Sequence, residues 1–257
     1  MTLLIDADFI VYKCCAANET EIDWGDDVIT VTSRFTEAYD MVERELYNIA
    51  NDIGCFDDSI LFFSDSANFR KAISASYKGH RNRKKPCGYR RVINKLKENN
   101  QVIVMPYLEA DDAIGIHATQ YPGNIICSPD KDMRQIPGEL FDLSTEVVEI
   151  TKEMGDRWHL IQTMAGDQTD GYSGVPGIGI KRAVALLDEH GDNWETVVNA
   201  FKEKDLGVEE ALLNARLAKI LQVENYDFSE QAVRLWEPPA SSSAGADDGA
   251  AVQATTD

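Results

Sequence analysis

Four short apolar runs in the first half of the chain have the length and composition of buried β-strands. They are TLLI at 2–5, SILFF at 59–63, QVIVM at 101–105 and NIIC at 124–127. The segments between them are longer and repeat apolar residues at helical spacing, as at 36–50. Strands that alternate with helices favour a parallel sheet covered by helices on both faces. We therefore predict an α/β fold with a central, mostly parallel sheet flanked by helices.

The same patterns divide the chain into three predicted parts. Residues 1–157 would form the α/β domain, with a short hairpin at 139–150. Residues 158–237 carry mostly helical patterns and are predicted to form a second, helical domain. The tail 238–257 has almost no bulky apolar residues and is predicted to be disordered.

Cysteine usage and the N-terminal segment indicate where the protein works. The apolar run at the N-terminus stops at Asp6, well short of the roughly 20 residues that span a bilayer. We therefore expect neither a signal peptide nor a membrane span. The chain has five cysteines and no C-x-x-C pair, which favours reduced thiols in the cytoplasm over disulfides or zinc.

The distribution of charge matters more than its total. A net charge of −19 would by itself argue against a nucleic-acid partner. However, residues 66–97 hold eleven of the 25 Lys and Arg residues and not one acid. Tyr77 and Tyr89 lie among these cations, and aromatic rings can stack on exposed bases while cations neutralise phosphates. A solvated basic helix and a sorting signal remain alternatives for this segment.

Acidic residues follow the predicted strands, and more of them are present than helix capping requires. A single Asp after a strand is often the N-cap of the next helix, but three of these four strand ends carry two or three acids. The acids of interest are Asp6, Asp8, Asp65, Glu109, Asp111, Asp112, Asp130 and Asp132. Ligands of open α/β sheets bind at the carboxyl ends of the strands. Clustered carboxylates without His or Cys indicate a site for hard divalent cations, above all Mg²⁺ or Mn²⁺.

A second acidic pair precedes a glycine-rich segment. Asp167 and Asp170 are followed by GYSGVPGIG and then by a predicted helix that starts near Lys181. Backbone amides left free at a helix N-terminus bind anions such as phosphate. The segment could equally be a tight connection between two helices. Acids that bind metal ions, next to a loop that binds phosphate, suit a nucleic-acid backbone together with its catalytic metals.

In this order, the motifs IDAD, FSD, YKGHR, LEADDAIG, SPDKDMRQ and GDQTDGYSGVPGIGIKRA closely resemble those of the 5′-nuclease superfamily. Within it, the chain is most similar to short bacteriophage 5′→3′ exonucleases related to flap endonucleases. The resemblance spans roughly residues 1–190 and implies a PIN/5′-nuclease-like sheet. It also implies a helix–three-turn–helix motif at 158–190 that binds duplex DNA, and a basic arch-like segment at 70–97.

The resemblance assigns roles to individual residues. It implies a first metal held by Asp6, Asp65, Glu109, Asp111 and Asp112. It implies a second metal held by Asp130, Asp132, Asp167 and Asp170. Lys78 and Arg81 would act on the scissile phosphate. The residues expected to contact DNA are Tyr77, Arg83, Lys84, Lys85, Gly174, Gly177, Gly179, Lys181 and Arg182. The hairpin 171–179 would bind K⁺ through backbone carbonyls.

The activity implied is a 5′→3′ exodeoxyribonuclease that uses two Mg²⁺ ions, for which Mn²⁺ can substitute. It would hydrolyse duplex DNA from 5′ ends, leave 5′ phosphates, remove RNA from hybrids and cleave 5′ flaps. The setting would be phage replication or host DNA degradation in the cytoplasm of an infected bacterium. Two alternatives stay open: a haloacid-dehalogenase-type phosphatase with Asp6 as nucleophile, and a non-catalytic protein that binds DNA by its structure.

Three features depart from the family pattern. Asp6-Ala7-Asp8 stands where many relatives have Asp-Gly, so that Asp8 is an additional acid without an assigned role. Asp170-Gly171 stands where Asp-Asn is usual. Only about 20 residues separate YKGHR from the strand predicted at 101–105, which leaves room for no more than a short arch.

Overall fold

A six-stranded sheet forms the centre of the computed structural model, which describes residues 1–55, 58–80, 84–144 and 146–239. The strands of the described chain are β1 (Leu3–Asp6), β2 (Glu19–Asp23), β3 (Ile29–Ser33), β4 (Ser59–Phe62), β5 (Gln101–Ile103), β6 (Ile125–Cys127), β7 (Gly138–Phe141), β8 (Val147–Ile150), β9 (Tyr226–Asp227) and β10 (Ala232–Val233).

The α-helices are α1 (Ala7–Ala17), α2 (Phe35–Ile53), α3 (Arg70–Ile73), α4 (Tyr89–Asn99), α5 (Ala110–Gln120), α6 (Lys152–Ala165), α7 (Ile180–His190), α8 (Trp194–Lys202) and α9 (Val208–Ala218). Two short 3₁₀ helices cover Lys131–Gln135 and Val223–Asn225. Within the described ranges, no helix combines the length and the apolar character needed to cross a membrane.

The central sheet has the order β5-β4-β1-β6-β7-β8. Its first five strands run parallel, and only β8 runs antiparallel to its neighbour β7. The predicted α/β fold with a mostly parallel sheet is therefore confirmed, as is the short hairpin near the middle of the chain. Strand β1 lies between β4 and β6, so its carboxyl end is central to the sheet edge.

Both faces of the sheet are covered, because alternate residues of a strand point to opposite sides. Leu3 and Ile5 of β1 pack into a core with α1, α2 and α4. Leu4, between them, packs into a second core with α5 on the other face. Burial on both faces is why these strands are continuous apolar runs and do not alternate with polar residues.

A helical part follows the sheet in the chain. Helices α6 to α9 share a core that includes Met164, Leu187 and Phe201. Helix α6 begins at Lys152, six residues before the predicted start of this part. The predicted division into domains stays a prediction, and residues 240–257 of the tail lie outside the described residues.

After α9 the chain returns to the α/β core, and we call residues 217–222 the return segment. Ile220 packs in the core beneath the sheet, and Leu221 packs against Leu108 and Ile116. Helix α5 can approach this closely because residue 115 is glycine. A Cβ at Gly115 would lie 2.3 Å from the carbonyl oxygen of Leu221.

We predict that Gly115→Ala destabilises the protein, although Gly→Ala inside a helix ordinarily stabilises it by about 1 kcal/mol. The added methyl must push the return segment away from α5, and overpacking of this kind costs about 1–3 kcal/mol. Chemical denaturation with both variants would measure the change. Gly207→Ala is the control, since the nearest atom to its new Cβ is 3.9 Å away. Equal stability of the two variants would contradict the close packing.

Candidate active site

An open cleft of about 1170 Å³ lies where the parallel strands end. Its acidic lining residues are Asp6, Asp8, Asp65, Glu109, Asp111, Asp130, Asp132, Asp167 and Asp170. They come from the ends of β1, β4 and β6, from the start of α5 and from the segment after α6. The structure therefore brings together all of the acids predicted as metal ligands except Asp112.

Asp6 and Asp111 line the cleft in surroundings that disfavour their ionised forms. The Asp6 carboxylate accepts hydrogen bonds from Ser128 Oγ at 3.1 Å and from the Phe9 amide at 3.4 Å. Burial, followed by the charge of Asp8, raises the pKa of Asp6 to about 6. Burial and the charge of Asp6 raise the pKa of Asp111 well above its usual value. Both shifts mean that these negative charges are poorly compensated by the protein alone.

Asp130 and Asp132 form a second acidic pair after β6. Asp130 is the N-cap of the 3₁₀ helix and accepts a 2.9 Å hydrogen bond from the Asp132 amide. The Asp132 carboxylate accepts a hydrogen bond from the side-chain amide of Gln162 in α6. Burial and the neighbouring Asp130 raise the pKa of Asp132 to about 7.

Lys78 connects the two acidic groups. Its ammonium contacts the Glu109 carboxylate and lies 3.5 Å from Asp170 Oδ2. Tyr77 donates a 2.8 Å hydrogen bond from its hydroxyl to Glu109 Oε2. Burial alone would raise the pKa of Glu109, but the cations of Arg70 and Lys78 hold it at about 2. Glu109 is therefore ionised, and Lys78 stays protonated beside it.

Two further acids are held by local hydrogen bonds. Asp167 Oδ2 pairs with Lys131 Nζ at 3.1 Å, and despite its burial this cation lowers the pKa of Asp167. Asp65 Oδ2 accepts from the Tyr107 amide at 2.8 Å, which lowers the pKa of Asp65. Both side chains are ionised and lie at the rim of the cleft.

Asp112 has a different place from the one predicted. Its side chain is fully buried, and both of its oxygens bind Arg70, at 2.6 and 2.8 Å. Oδ1 also accepts from the Leu221 amide of the return segment at 3.1 Å. Asp112 compensates the charge of the buried Arg70 guanidinium and does not line the cleft. This geometry is a correction to the prediction that Asp112 is a metal ligand.

Two aromatic residues of the basic segment are also placed differently from the prediction. Tyr77 is only 2% exposed, so its ring cannot stack on a base. Tyr89 is buried as well, and its hydroxyl donates to Asp8 Oδ1 at 2.6 Å. Lys84 and Lys85 are exposed, and Lys85 lies over the Tyr89 ring at the cleft wall. The predicted residues Arg81 and Arg83 lie outside the described residues.

Asp8 gains a role that the sequence does not assign. Besides the Tyr89 hydroxyl, its carboxylate accepts a 2.8 Å hydrogen bond from the Ser64 amide. Asp8 therefore joins α1, the end of β4 and α4. Helix α4 in turn contributes Arg90 and Lys97 to the wall of the cleft.

The glycine-rich segment between α6 and α7 has a buried part and an exposed part. Gly174 is buried, and its amide donates to Asn214 Oδ1 at 3.0 Å. Contrary to the prediction, this amide is therefore not available to bind a phosphate. Gly177 and Gly179 are exposed, and Gly179 is the N-cap of α7. Lys181 and Arg182, in the first turn of α7, are exposed as well. The potassium site predicted at 171–179 stays a prediction.

The donor set of the cleft fits hard divalent cations. All of its acids offer carboxylate oxygens, which Mg²⁺ and Mn²⁺ prefer, and three of them have raised pKa values that a bound cation would reverse. Among the described residues, no three such side chains lie close enough together to hold an ion directly. Mg²⁺ characteristically keeps several water ligands and needs few carboxylates in direct contact.

The parallel sheet and the carboxylate-lined cleft at its edge define an α/β protein whose site suits divalent cations. Residues 1–163 match the family described as 5'-3' exonuclease, N-terminal resolvase-like domain. The chain therefore belongs to the 5′-3′ exonuclease family, and the resemblance seen in its motifs is confirmed. Membership favours neither the phosphatase nor the non-catalytic alternative.

Individual relatives are similar over almost the whole chain. The chain is 27% identical to the exodeoxyribonuclease of Enterobacteria phage T3, with 92% of each protein covered. It is 26% identical to the exonuclease of Escherichia phage T7, covering 92% of this chain and 93% of the relative. Its fold is similar to that of a T5 5′-exonuclease with bound zinc, with a TM-score of 0.62, 15% identity and coverage of 85% and 88%.

We predict that the metal-free protein is more stable at pH 5 than at pH 8. The folded-state pKa values of Asp6 and Asp132, about 6 and about 7, lie above the ordinary value of 3.8. Their contribution to stability is full below about pH 4 and is lost as the pH rises through 6 to 7. A shift of two pKa units corresponds to about 3 kcal/mol, hence to a Tm change of about 6–12 °C.

Thermal unfolding in EDTA from pH 5 to pH 8 measures this dependence. Adding Mg²⁺ should raise Tm more at pH 8 than at pH 5, because the cation stabilises the ionised acids. The control is Asp132→Asn, which should flatten the dependence in EDTA. A Tm that does not fall between pH 5 and pH 8 without metal would contradict the uncompensated charge.

Proposed function

We propose that this protein is a metal-dependent 5′→3′ exodeoxyribonuclease that hydrolyses duplex DNA from its 5′ ends and leaves 5′ phosphates. The observation that carries the proposal is the cleft in which two groups of carboxylates flank Lys78. The relatives named exodeoxyribonuclease and exonuclease, which match over 92% of the chain, support it. RNA removal from hybrids and cleavage of 5′ flaps would use the same site, and phage replication is the setting that these relatives suggest.

The acids of the cleft would hold the metal in two groups. Asp6, Asp65, Glu109 and Asp111 form one group, and Asp130, Asp132, Asp167 and Asp170 form the other. Mg²⁺, or Mn²⁺ in its place, would supply Lewis acidity and activation of water at neutral pH. The protein's part is to hold these carboxylates oriented and close together, where a bound cation would favour their ionised form.

Lys78 is the residue placed to act on the scissile phosphate. Without substrate its ammonium rests between Glu109 and Asp170. A phosphate oxygen in the cleft would compete with these two acids for the ammonium, which would there stabilise developing negative charge. Lys131, paired with Asp167 on the other side of the cleft, offers a second cation to the same substrate.

The duplex beyond the cleft would be held by the start of α7. Gly177 and Gly179 expose backbone near a helix N-terminus, which favours phosphate. Lys181 and Arg182 add two exposed cations in the next turn. In this proposal α6, the glycine-rich segment and α7 are the helix–three-turn–helix expected from the sequence.

We expect the purified protein to release mononucleotides with 5′ phosphates from the 5′ ends of internally labelled duplex DNA. Release should require Mg²⁺ and stop in EDTA, because the acids alone repel the phosphate backbone. A parallel substrate with a 5′ flap separates exonuclease from flap cleavage by product length. Binding without cleavage in any divalent metal would contradict the proposal.

Asp130→Asn is the catalytic control for this assay. Loss of one charged metal ligand should slow cleavage by about 100-fold or more, because metal catalysis supplies several kcal/mol. Duplex binding measured by fluorescence anisotropy should be retained. Asp52→Asn, at an exposed acid of α2 outside the cleft, should leave both properties unchanged. Equal loss of binding and cleavage in Asp130→Asn would contradict the assignment of Asp130.

We predict that Lys181→Ala weakens duplex binding and lowers the slope of log Kd against log salt concentration by about 1. The reason is the loss of one cation–phosphate contact at the start of α7. Anisotropy titrations at several salt concentrations measure the slope. Lys202→Ala, an exposed lysine of α8, is the matched control and should leave the slope unchanged. An unchanged slope in Lys181→Ala would remove α7 from the DNA interface.

A further inference from the structure

Beneath the second acidic pair, a fully buried glutamine joins the 3₁₀ helix to the return segment. Gln135 Nε2 donates to the Ala218 carbonyl and to Gln162 Oε1, both at 2.7 Å. Gln135 Oε1 accepts from the Ile220 amide at 3.0 Å. Helix α6 lies tightly against this arrangement, since a Cβ at Gly155 would be 2.4 Å from the Gln135 carbonyl oxygen.

The backbone of the return segment fixes the direction of this hydrogen-bond chain. A carbonyl can only accept and a backbone amide can only donate, so Ala218 and Ile220 together leave one orientation for the Gln135 amide. Gln135 must then donate to Gln162 Oε1. The other end of the Gln162 amide, its NH₂ group, is consequently turned to Asp132.

We infer that Gln162 is a positioning residue for Asp132: its side-chain amide, oriented by Gln135 and the return segment, holds one carboxylate oxygen of Asp132 and fixes the direction of the other. Only 4% of Gln162 is exposed, so water does not compete for this hydrogen bond. The inference rests on the proposed function, because it takes Asp132 as a metal ligand.

The crowding of the site makes such a donor necessary. Asp132 lies among other carboxylates, and their repulsion would turn its side chain away if nothing held it. Residues that hydrogen-bond to metal ligands change metal affinity or activity by about 10-fold to 100-fold when removed. The matched family region ends at residue 163, so the return segment that orients the chain lies outside it.

The test compares Gln162→Met with Gln222→Met. Gln222 is the matched control because it is similarly buried and donates to the Gln135 main-chain carbonyl at 3.1 Å, while the side-chain bonds from Gln135 through Gln162 to Asp132 do not involve it. Binding of Mn²⁺ alone is measured by calorimetry, without DNA, for both variants and the wild type. The Mg²⁺ midpoint of cleavage, the DNA Kd in EDTA and Tm complete the comparison.

We expect Gln162→Met to weaken Mn²⁺ binding and raise the Mg²⁺ midpoint by about 10-fold or more, with the DNA Kd in EDTA unchanged. Gln222→Met should lower Tm similarly and keep the wild-type metal affinity. If Gln162→Met does not fold, the same metal-binding measurements are made on Gln162→Asn, because its shorter side chain cannot span from Gln135 to Asp132.

A wild type that binds Mn²⁺ and cleaves DNA, with the Gln162 variant unchanged in metal affinity, would overturn the positioning role and leave the proposed function intact. Equal loss of metal affinity in Gln162→Met and Gln222→Met would also overturn it, since a general structural effect would then suffice. A wild type that neither binds Mn²⁺ nor cleaves would overturn the proposed function, and the inference with it.

Discussion

Mutual repulsion among the carboxylates at the sheet edge is the constraint on which this structure depends. Burial first, and then the charge of neighbouring acids, raises the pKa values of Asp6, Asp111 and Asp132, so that ionising these groups in the folded protein is costly. Cationic side chains and hydrogen-bond donors of the protein lie between the acids and partly compensate their charge. Lys78 and Lys131 each contact a carboxylate of the cleft, and amides bind others. The same poorly compensated charge is what gives a divalent cation its affinity.

Arg70 shows how far this compensation extends below the cleft. Its five N–H groups all have acceptors: Asp112 and Glu109 on one side, and the carbonyls of Leu217 and Lys219 on the other. Breaking a buried ion pair by removing one partner costs about 3–5 kcal/mol. The return segment therefore serves both acidic groups, through Arg70 toward Glu109 and through Gln135 toward the second pair. Buried hydrogen bonds therefore connect the acidic sheet edge to the end of α9.

The sequence predicts the parts of the fold that depend on local patterns. Buried runs became strands, and acids at strand ends met in one cleft because parallel strands share an edge. Patterns do not show which polar residue is buried against which partner. Arg70 belongs to the basic segment 66–97 of the sequence, yet one of its acceptors, the Lys219 main-chain carbonyl, is 149 residues away. The exposed hairpin of β2 and β3 was missed for a related reason, since none of its strands has a buried face.

One departure from the family pattern finds its reason in this packing. Gly171 follows Asp170 where the family resemblance leads us to expect Asn, and it adopts a positive φ of 84°. A Cβ at this position would lie 2.4 Å from the Ser76 carbonyl oxygen, so only glycine allows the two segments to meet. The Lys78 amide donates to the Asp170 carbonyl at 2.7 Å at the same junction. Glycine here thus fixes the lysine of the cleft directly to the segment that leads into α7, so that the position of the Lys78 ammonium and the position of the glycine-rich segment depend on one contact.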